Sequence, residues 1–176
     1  MDSTNSSSLL VPIHPEDHVH GPDDAAYTLV EYGDYECPDC GRLYAIVRDL
    51  QSEIPSRLRV VYRHYPLSGI HHHAEQAAEA AEAAGAQGKF WEMHALLFEH
   101  QKALQTKELI QYAVELALDV ERFHDDLKNR SYSDQVRADF IAGVQNGVYH
   151  TPGLFLNGIR YDDRWDRETL EALLKA

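Results

Sequence analysis

The chain has 176 residues, 44% of them hydrophobic, enough to bury one compact core with room for an embedded subdomain. Its 29 Asp and Glu outnumber 16 Lys and Arg, giving −13 with neutral histidines, and a field of that sign repels phosphate backbones and anionic lipid. Nucleic acid and membrane surfaces are therefore not expected partners, and no apolar run is long enough to span a bilayer.

Residues 1–20, rich in Ser and His and carrying Pro12 and Pro15, read as a flexible or extended lead-in. The start of the chain has no basic n-region and only Leu9 to Val11 as an apolar run, so it does not read as a secretory leader. The expected compartment is the cytoplasm. Gly21-Pro22-Asp23-Asp24 punctuates before the first clear strand, Tyr27 to Tyr32.

The only two cysteines follow that strand, in Cys37-Pro38-Asp39-Cys40. Apolar residues at Leu43, Ile46, Val47 and Leu50 predict a helix that opens at the cysteines and ends before Pro55. An i, i+3 spacing at a helix start puts both sulfurs on one face. Pro38 fits the first helical position, where its missing N–H costs nothing. The free N–H groups and partial positive charge of that end favour a thiolate on Cys37. A strand followed by C-x-x-C at a helix start is the arrangement of a redox-active thiol pair.

Two duller readings compete. A structural zinc site usually has a second Cys or His pair at regular spacing, and no further cysteine exists. A static disulfide closing so short a loop constrains the unfolded chain least, which makes it a poor staple. Redox chemistry fits better than either.

Leu58 to Tyr62 predicts a second strand, completing a βαβ unit with the cysteines at the carboxyl end of its first strand, where open α/β sheets place their chemistry. From about His71 to Gly147 every periodic segment is helical. Ala74, Ala77, Ala78, Ala81 and Ala84 form a small-residue stripe; Phe90 to Phe98, Leu109 to Ala117 and a segment around Phe123 mark further helices. Ser131 to Asp134 has the look of a capping box before Val136, Phe140, Ile141 and Val144. The chain then returns to sheet, with Gly153 to Leu156 and Ile159 to Tyr161 joined by the hairpin signal Asn157-Gly158, before Asp166 caps a last helix. The expected organisation is one α/β domain made of residues 21–67 and 148–176, with residues 68–147 as an all-helical insertion.

With both halves placed, Leu29 to Cys40, Tyr62-Arg63-His64-Tyr65-Pro66-Leu67, Ala81 to His94 and Gly147 to Gly158 together resemble the DsbA-type thiol oxidoreductase family. That resemblance, covering about Asp17 to the end, implies a thioredoxin-like fold with a helical insertion. On residues alone Pro152 reads equally as a cis proline or as a trans proline opening a strand; the resemblance implies a cis Thr151-Pro152 bond facing the cysteines, with the Thr151 backbone presented to a client. It also implies that Glu31, six residues before Cys37, lies buried beneath the pair and relays the proton of Cys40, where an exposed edge carboxylate is the plain alternative.

The implied function is thiol–disulfide exchange, with Cys37 attacking, Cys40 resolving, and Pro38, Asp39, Thr151 and Pro152 facing disulfide- or thiol-bearing clients or small thiols. A separate redox partner of unknown identity would recycle the pair. Two other classes remain on the same fold: a glutathione-type small-molecule thiol enzyme, and a metal-binding or holdase module. No cofactor and no intrinsic metal site are expected. His71-His72-His73, read as part of a helix, would point to three of its sides, and His14, His18 and His20 suit only adventitious metal pickup. Asp34, Glu36 and Asp39 crowd Cys37 and oppose the helix end. They lead to an expected thiol pKa nearer thioredoxin's ~7 than the oxidant DsbA's ~3.5, and hence to a reductase-leaning pair.

Overall fold

The computed structural model describes residues 8–176. Among them a five-stranded sheet carries β1 (His18–His20), β2 (Tyr27–Gly33), β3 (Leu58–His64), β4 (Gly153–Leu156) and β5 (Ile159–Arg160). Its spatial order is β1-β3-β2-β4-β5. Strands β2 and β3 run parallel, joined by helix α1 (Pro38–Glu53), while β1, β4 and β5 pair antiparallel to their neighbours. Between β3 and β4 come α2 (Ala74–Gly85), α3 (Phe90–Glu99), α4 (Thr106–Glu115), α5 (Val120–Lys128) and α6 (Ser133–Gln145); α7 (Arg167–Lys175) ends the chain.

Alternation along β2 separates two cores. Leu29 packs with Val60 and Leu154 beneath Leu43, Val47 and Leu50 of α1 and Leu170 and Leu174 of α7. Val30 and Tyr32 face the other way, with Val61 and Phe155, towards Phe140 and Ala142 of α6. A third cluster centres on α2, whose alanines meet Phe90, Met93 and Leu97 of α3, Leu109 of α4 and Phe123 and Leu127 of α5. The alanine stripe is wider than the sequence pattern suggests. Ala80 and Ala83 are buried as well, along with Glu79 and Glu82, because this helix is the insert's centre and is covered on nearly every side.

The structure departs from expectation in four places. Residues 8–20 of the lead-in are pinned, and residues 1–7 lie outside the described residues. The cause is Arg63, 1% exposed, which binds both Asp17 carboxylate oxygens at 2.8 Å, the carbonyls of Val11 and Pro12, and the Tyr32 hydroxyl. A guanidinium buried at a sheet face needs all its donors met, and the lead-in supplies the acceptors. No capping box forms at α6: its N-cap is Tyr132, without a side-chain cap bond. Ile141 and Val144 of that helix are about half exposed instead of core. Finally, His71 to His73 precede α2 as a turn, with His73 at its N-cap, and are not helical.

The two ends of the last hairpin behave as their residues dictate. Asn157 and Gly158 both take positive φ, 49° and 79°, as a tight two-residue hairpin turn demands. Asp166 accepts the Thr169 N–H at 3.0 Å and starts α7.

Candidate active site

Cys37 is the N-cap of α1 and Pro38 its first residue, so the helix begins at the first sulfur. Cys40, one turn in, is fully buried against the insert core, and both cysteines are free thiols. The Thr151–Pro152 bond is cis. The Thr151 carbonyl accepts from Cys37 Sγ at 3.6 Å, across 114 residues of sequence. Cys37, Cys40, Pro38, Thr151 and Pro152 therefore meet at one place. Glu31 lies in β2 and is 3% exposed. Asp39 turns outward, about half exposed, and pairs with Arg42.

The two thiols differ sharply. Cys37 is drawn down to about 5: a hydrogen bond from the Cys40 thiol, then Thr151 and the backbone N–H groups of Cys40 and Asp39, outweigh its burial. Cys40 is driven well above the ordinary thiol value by burial, by its bond to Cys37 and by the charges of Glu31 and Cys37. Glu31 rises to about 8, mainly through burial and further through the charge on Cys37. One of its carboxylate oxygens has no hydrogen-bond partner among the described residues. That carboxyl lines a cavity of about 320 Å³ with Tyr44, Val47, Trp91 and His94.

The Cys37 value of about 5 lies about midway between the ~7 and ~3.5 of the two reference thiols, and the three acids do not hold the thiol up because each is partnered. Asp34, 1% exposed, accepts from the backbone of Glu36 and Leu67 at 2.7 and 2.8 Å and from His71 Nδ1 at 2.8 Å. Glu36 accepts from the backbone and Nδ1 of His73 at 2.8 and 3.0 Å, bonds that hold its carboxyl below the usual range against a partial burial cost. Burial opposes a charge on His71, but the Asp34 bond and charge, with those of Cys37 and Glu36, lift its pKa. Each acid that was to oppose the thiolate has a donor or cation of its own.

Three contributors were not legible. His71 and His73 read in the sequence only as members of a run unsuited to hold a metal, yet each serves one of these acids. Gln101, in the loop after α3, donates from Nε2 to the carbonyls of Tyr35 and Cys37 at 2.9 and 2.8 Å, clamping the backbone on either side of Glu36. Gly41 makes room for it, since a Cβ there would sit 2.3 Å from the Gln101 amide oxygen and push that side chain off its two carbonyls. Gly41 immediately after C-x-x-C was the one available sign of that close approach.

A cleft of about 750 Å³ runs between Pro66–Ile70, α6 and Tyr149, lined by Leu67, Ile70, Val136, Phe140 and Tyr149. Ile70 and Tyr149 stand 70% and 76% exposed at its rim. It adjoins the thiol site through Tyr149, two residues before Thr151, and through Leu67, bound to Asp34.

The sequence model described as thioredoxin matches residues 14–176. Among solved structures, oxidised BdbD from Bacillus subtilis superposes with a TM-score of 0.81 at 23% identity, covering 97% of this chain and 95% of that one. A thioredoxin-like oxidoreductase from Silicibacter pomeroyi DSS-3 gives 0.79 at 26% identity, covering 92% of each. The α-DsbA1 of Wolbachia pipientis gives 0.78 at 16% identity, over 95% of this chain and 92% of that one. A protein of Salinispora arenicola CNS-205 named Na(+)/H(+) antiporter NhaA 1 is 45% identical over 165 residues, 93% of this chain but 25% of its own length. The chain thus spans about a quarter of the curated relatives it matches. No helix of the described residues is long and apolar enough to cross a membrane. The chain belongs to the thioredoxin family and has the fold of DsbA-type proteins, its five helices α2–α6 inserted between β3 and β4.

Proposed function

We propose that this protein is a thiol–disulfide oxidoreductase working through Cys37 and Cys40. The observation that carries this reading is geometric: two free thiols at the start of α1, Cys40 fully buried and Cys37 Sγ 3.6 Å from the Thr151 carbonyl. This arrangement draws Cys37 down to about 5 and holds Cys40 protonated. At neutral pH that leaves one attacking thiolate and one thiol in reserve. The Cys37 thiolate attacks a client disulfide, forming a mixed disulfide as the first client thiolate leaves. Glu31 takes the proton of Cys40, whose sulfur then attacks Cys37 Sγ and releases the second client thiolate. The client is reduced by two electrons and the pair is oxidised; the reverse sequence oxidises a client.

The Thr151 carbonyl, 3.6 Å from Cys37 Sγ, is placed to hold an extended client strand, and the cleft beside Tyr149 gives its side chains an apolar seat. Pro38 and Asp39 form the opposite lip. The name antiporter belongs to relatives of which this chain matches a quarter, and it is not carried over to this chain, whose own chemistry is a thiol pair. We place the reaction in the cytoplasm, where a lone cysteine pair is more often catalytic than structural.

Direction follows from the thiolate. A Cys37 pKa of about 5 lies between thioredoxin's ~7 and DsbA's ~3.5. The pair should therefore sit between about −270 mV and about −120 mV, a weaker reductant than the acids around it suggest. Glutathione equilibration of the purified protein measures this directly. The division of labour is tested by Cys37→Ser, expected to abolish exchange, against Cys40→Ser, expected to accumulate mixed disulfides. Client adducts on the Cys37→Ser protein instead would reverse the assignment.

A further inference from the structure

Away from the thiols, three side chains converge from elements distant in sequence: His18 on β1, His64 at the end of β3 and Glu82 in α2. Their ligand atoms lie within 4.8 Å of one another. Both imidazole Nε2 atoms meet one Glu82 oxygen, at 2.8 Å from His18 and 2.7 Å from His64. We propose that this triad is a binding site for a divalent transition metal of the zinc type, ligated by His18 Nε2, His64 Nε2 and the Glu82 carboxylate, with water completing the sphere.

The donor set selects the class of ion. Two imidazoles with one carboxylate suit zinc and its neighbours, whereas calcium and magnesium take oxygen cages. The spacing is close to what such an ion needs. Bonds of ~2.0–2.2 Å in a tetrahedral site put ligand atoms roughly 3.3–3.5 Å apart. Each N···O contact, now bridged by a proton, has only to open by about half an ångström for the ion to take the place of those protons.

The surroundings are those of a built site. The His64 and Glu82 side chains are 1% and 8% exposed, fixed by sheet and helix, while that of His18 is 20% exposed and forms the way in. The His18 ring lies flat on Phe90, centroids 3.4 Å apart with planes 4° apart, so its orientation is already set. A metal here would tie the edge strand and the insert's central helix to β3. Binding to the folded chain alone would raise its stability with metal concentration. His18, set aside in the sequence as a pickup residue of a loose lead-in, becomes a ligand because β1 pairs it opposite Tyr62, two residues before His64.

The test is a Co²⁺ titration of the metal-stripped Cys37→Ser/Cys40→Ser protein, read by visible d–d absorption, beside the wild type. The expected result is one equivalent bound in the double-serine protein without thiolate charge transfer, displaced by Zn²⁺, with Zn²⁺ raising Tm. His18→Ala, still folded by circular dichroism, should weaken binding by about 100-fold or more, the upper end of what losing even an outer-shell partner costs. Glu82→Gln, which keeps the size of the side chain and removes its charge, should do the same should His18→Ala not fold. Binding only in the wild type, with thiolate charge transfer, assigns the metal to the cysteines and overturns the proposal. So do equal affinity in the variants, which points to His14 or His20, and no binding at all, which leaves the triad a proton-bridged staple.

Discussion

The outer and inner sides of the cysteine pair are built from the same kinds of residue and reach opposite results. Outside, around Cys37, stand three carboxylates, yet the thiol is drawn down to about 5. Inside, around Cys40, stands one carboxyl, Glu31, and the thiol is driven up. Charge count does not decide this; the disposition of donors does. Asp34, Glu36 and Asp39 each have a histidine, arginine or backbone N–H at bonding distance, so their fields are largely answered locally. Glu31 has a buried oxygen with no partner among the described residues, and burial with the Cys37 charge raises it to about 8. Once Cys37 is tied up in a mixed disulfide that charge is gone, and the ionised carboxylate then formed is what accepts the Cys40 proton.

The largest test of that contrast removes the inner acid. Glu31→Gln should slow the Cys40-dependent step by roughly 10²-fold, the low end of general acid–base contributions, while leaving mixed-disulfide formation by Cys37 nearly unchanged. Stopped-flow fluorescence on a model disulfide separates the two. The same variant alters stability against pH. Glu31 titrates near about 4.3 unfolded and about 8 folded. Between those values the native state keeps a proton that the unfolded chain has released. Its contribution is whole below about 4.3 and is lost as pH rises to about 8, on the order of 5 kcal/mol over the span. Urea melts of wild type and variant across pH 5–8 should diverge accordingly. Parallel curves would mean that Glu31 is solvated and ionised.

The contrast also marks what the sequence can carry. The βαβ unit, the helix starting at the cysteines, the helical insertion and the Asn157-Gly158 hairpin are written in local periodicity and turn residues, which act within a few positions. Arg63 is not: its partners lie 46 to 52 residues earlier, so nothing near it announces that it pins the lead-in. At the site, Cys37, Cys40 and Pro152 were legible because spacing and motif name them. The balance of charge was not, because Asp34 meets His71 from 37 residues away and Gln101 reaches Cys37 from 64. A count of acids near a thiol overstates their effect when partners such as His71 and His73 reach them from far along the chain.

Removing those long-range partners sharpens the outer half. Gln101→Ala deletes two hydrogen bonds to the carbonyls of Tyr35 and Cys37. At about 0.5–1.5 kcal/mol each, the protein should lose roughly 1–3 kcal/mol of stability, measured by denaturant melts. The Cys37 pKa should stay put, since neither bond reaches the sulfur. His71→Ala should do the reverse. Asp34 keeps its two backbone donors but loses its imidazole partner, and the Cys37 thiolate loses a neighbour that favours it when protonated. Thiolate absorbance against pH should place Cys37 higher by about 0.5–1 unit, worth roughly 0.7–1.4 kcal/mol, with a correspondingly more reducing pair.

Asp39 should matter least, although it sits inside the motif. Taken alone, a carboxylate ~6–7 Å from the sulfur at an effective dielectric of ~20–40 disfavours the thiolate by roughly 1–3 kcal/mol. The side chain, however, is about half exposed and paired with Arg42, one turn along the same helix. Water screens it on one side and a guanidinium neutralises it on the other, which reduces such exposed charges to about 0–1 kcal/mol. Asp39→Asn should therefore lower the Cys37 pKa by no more than about 0.5 unit. The effect should grow when Arg42→Ala is added first, because the unpaired aspartate then faces the thiolate directly. If Asp39→Asn alone moves the pKa by more than a full unit, the outer acids are not answered by their partners, and the low value at Cys37 must come from the helix end and Cys40 working against them.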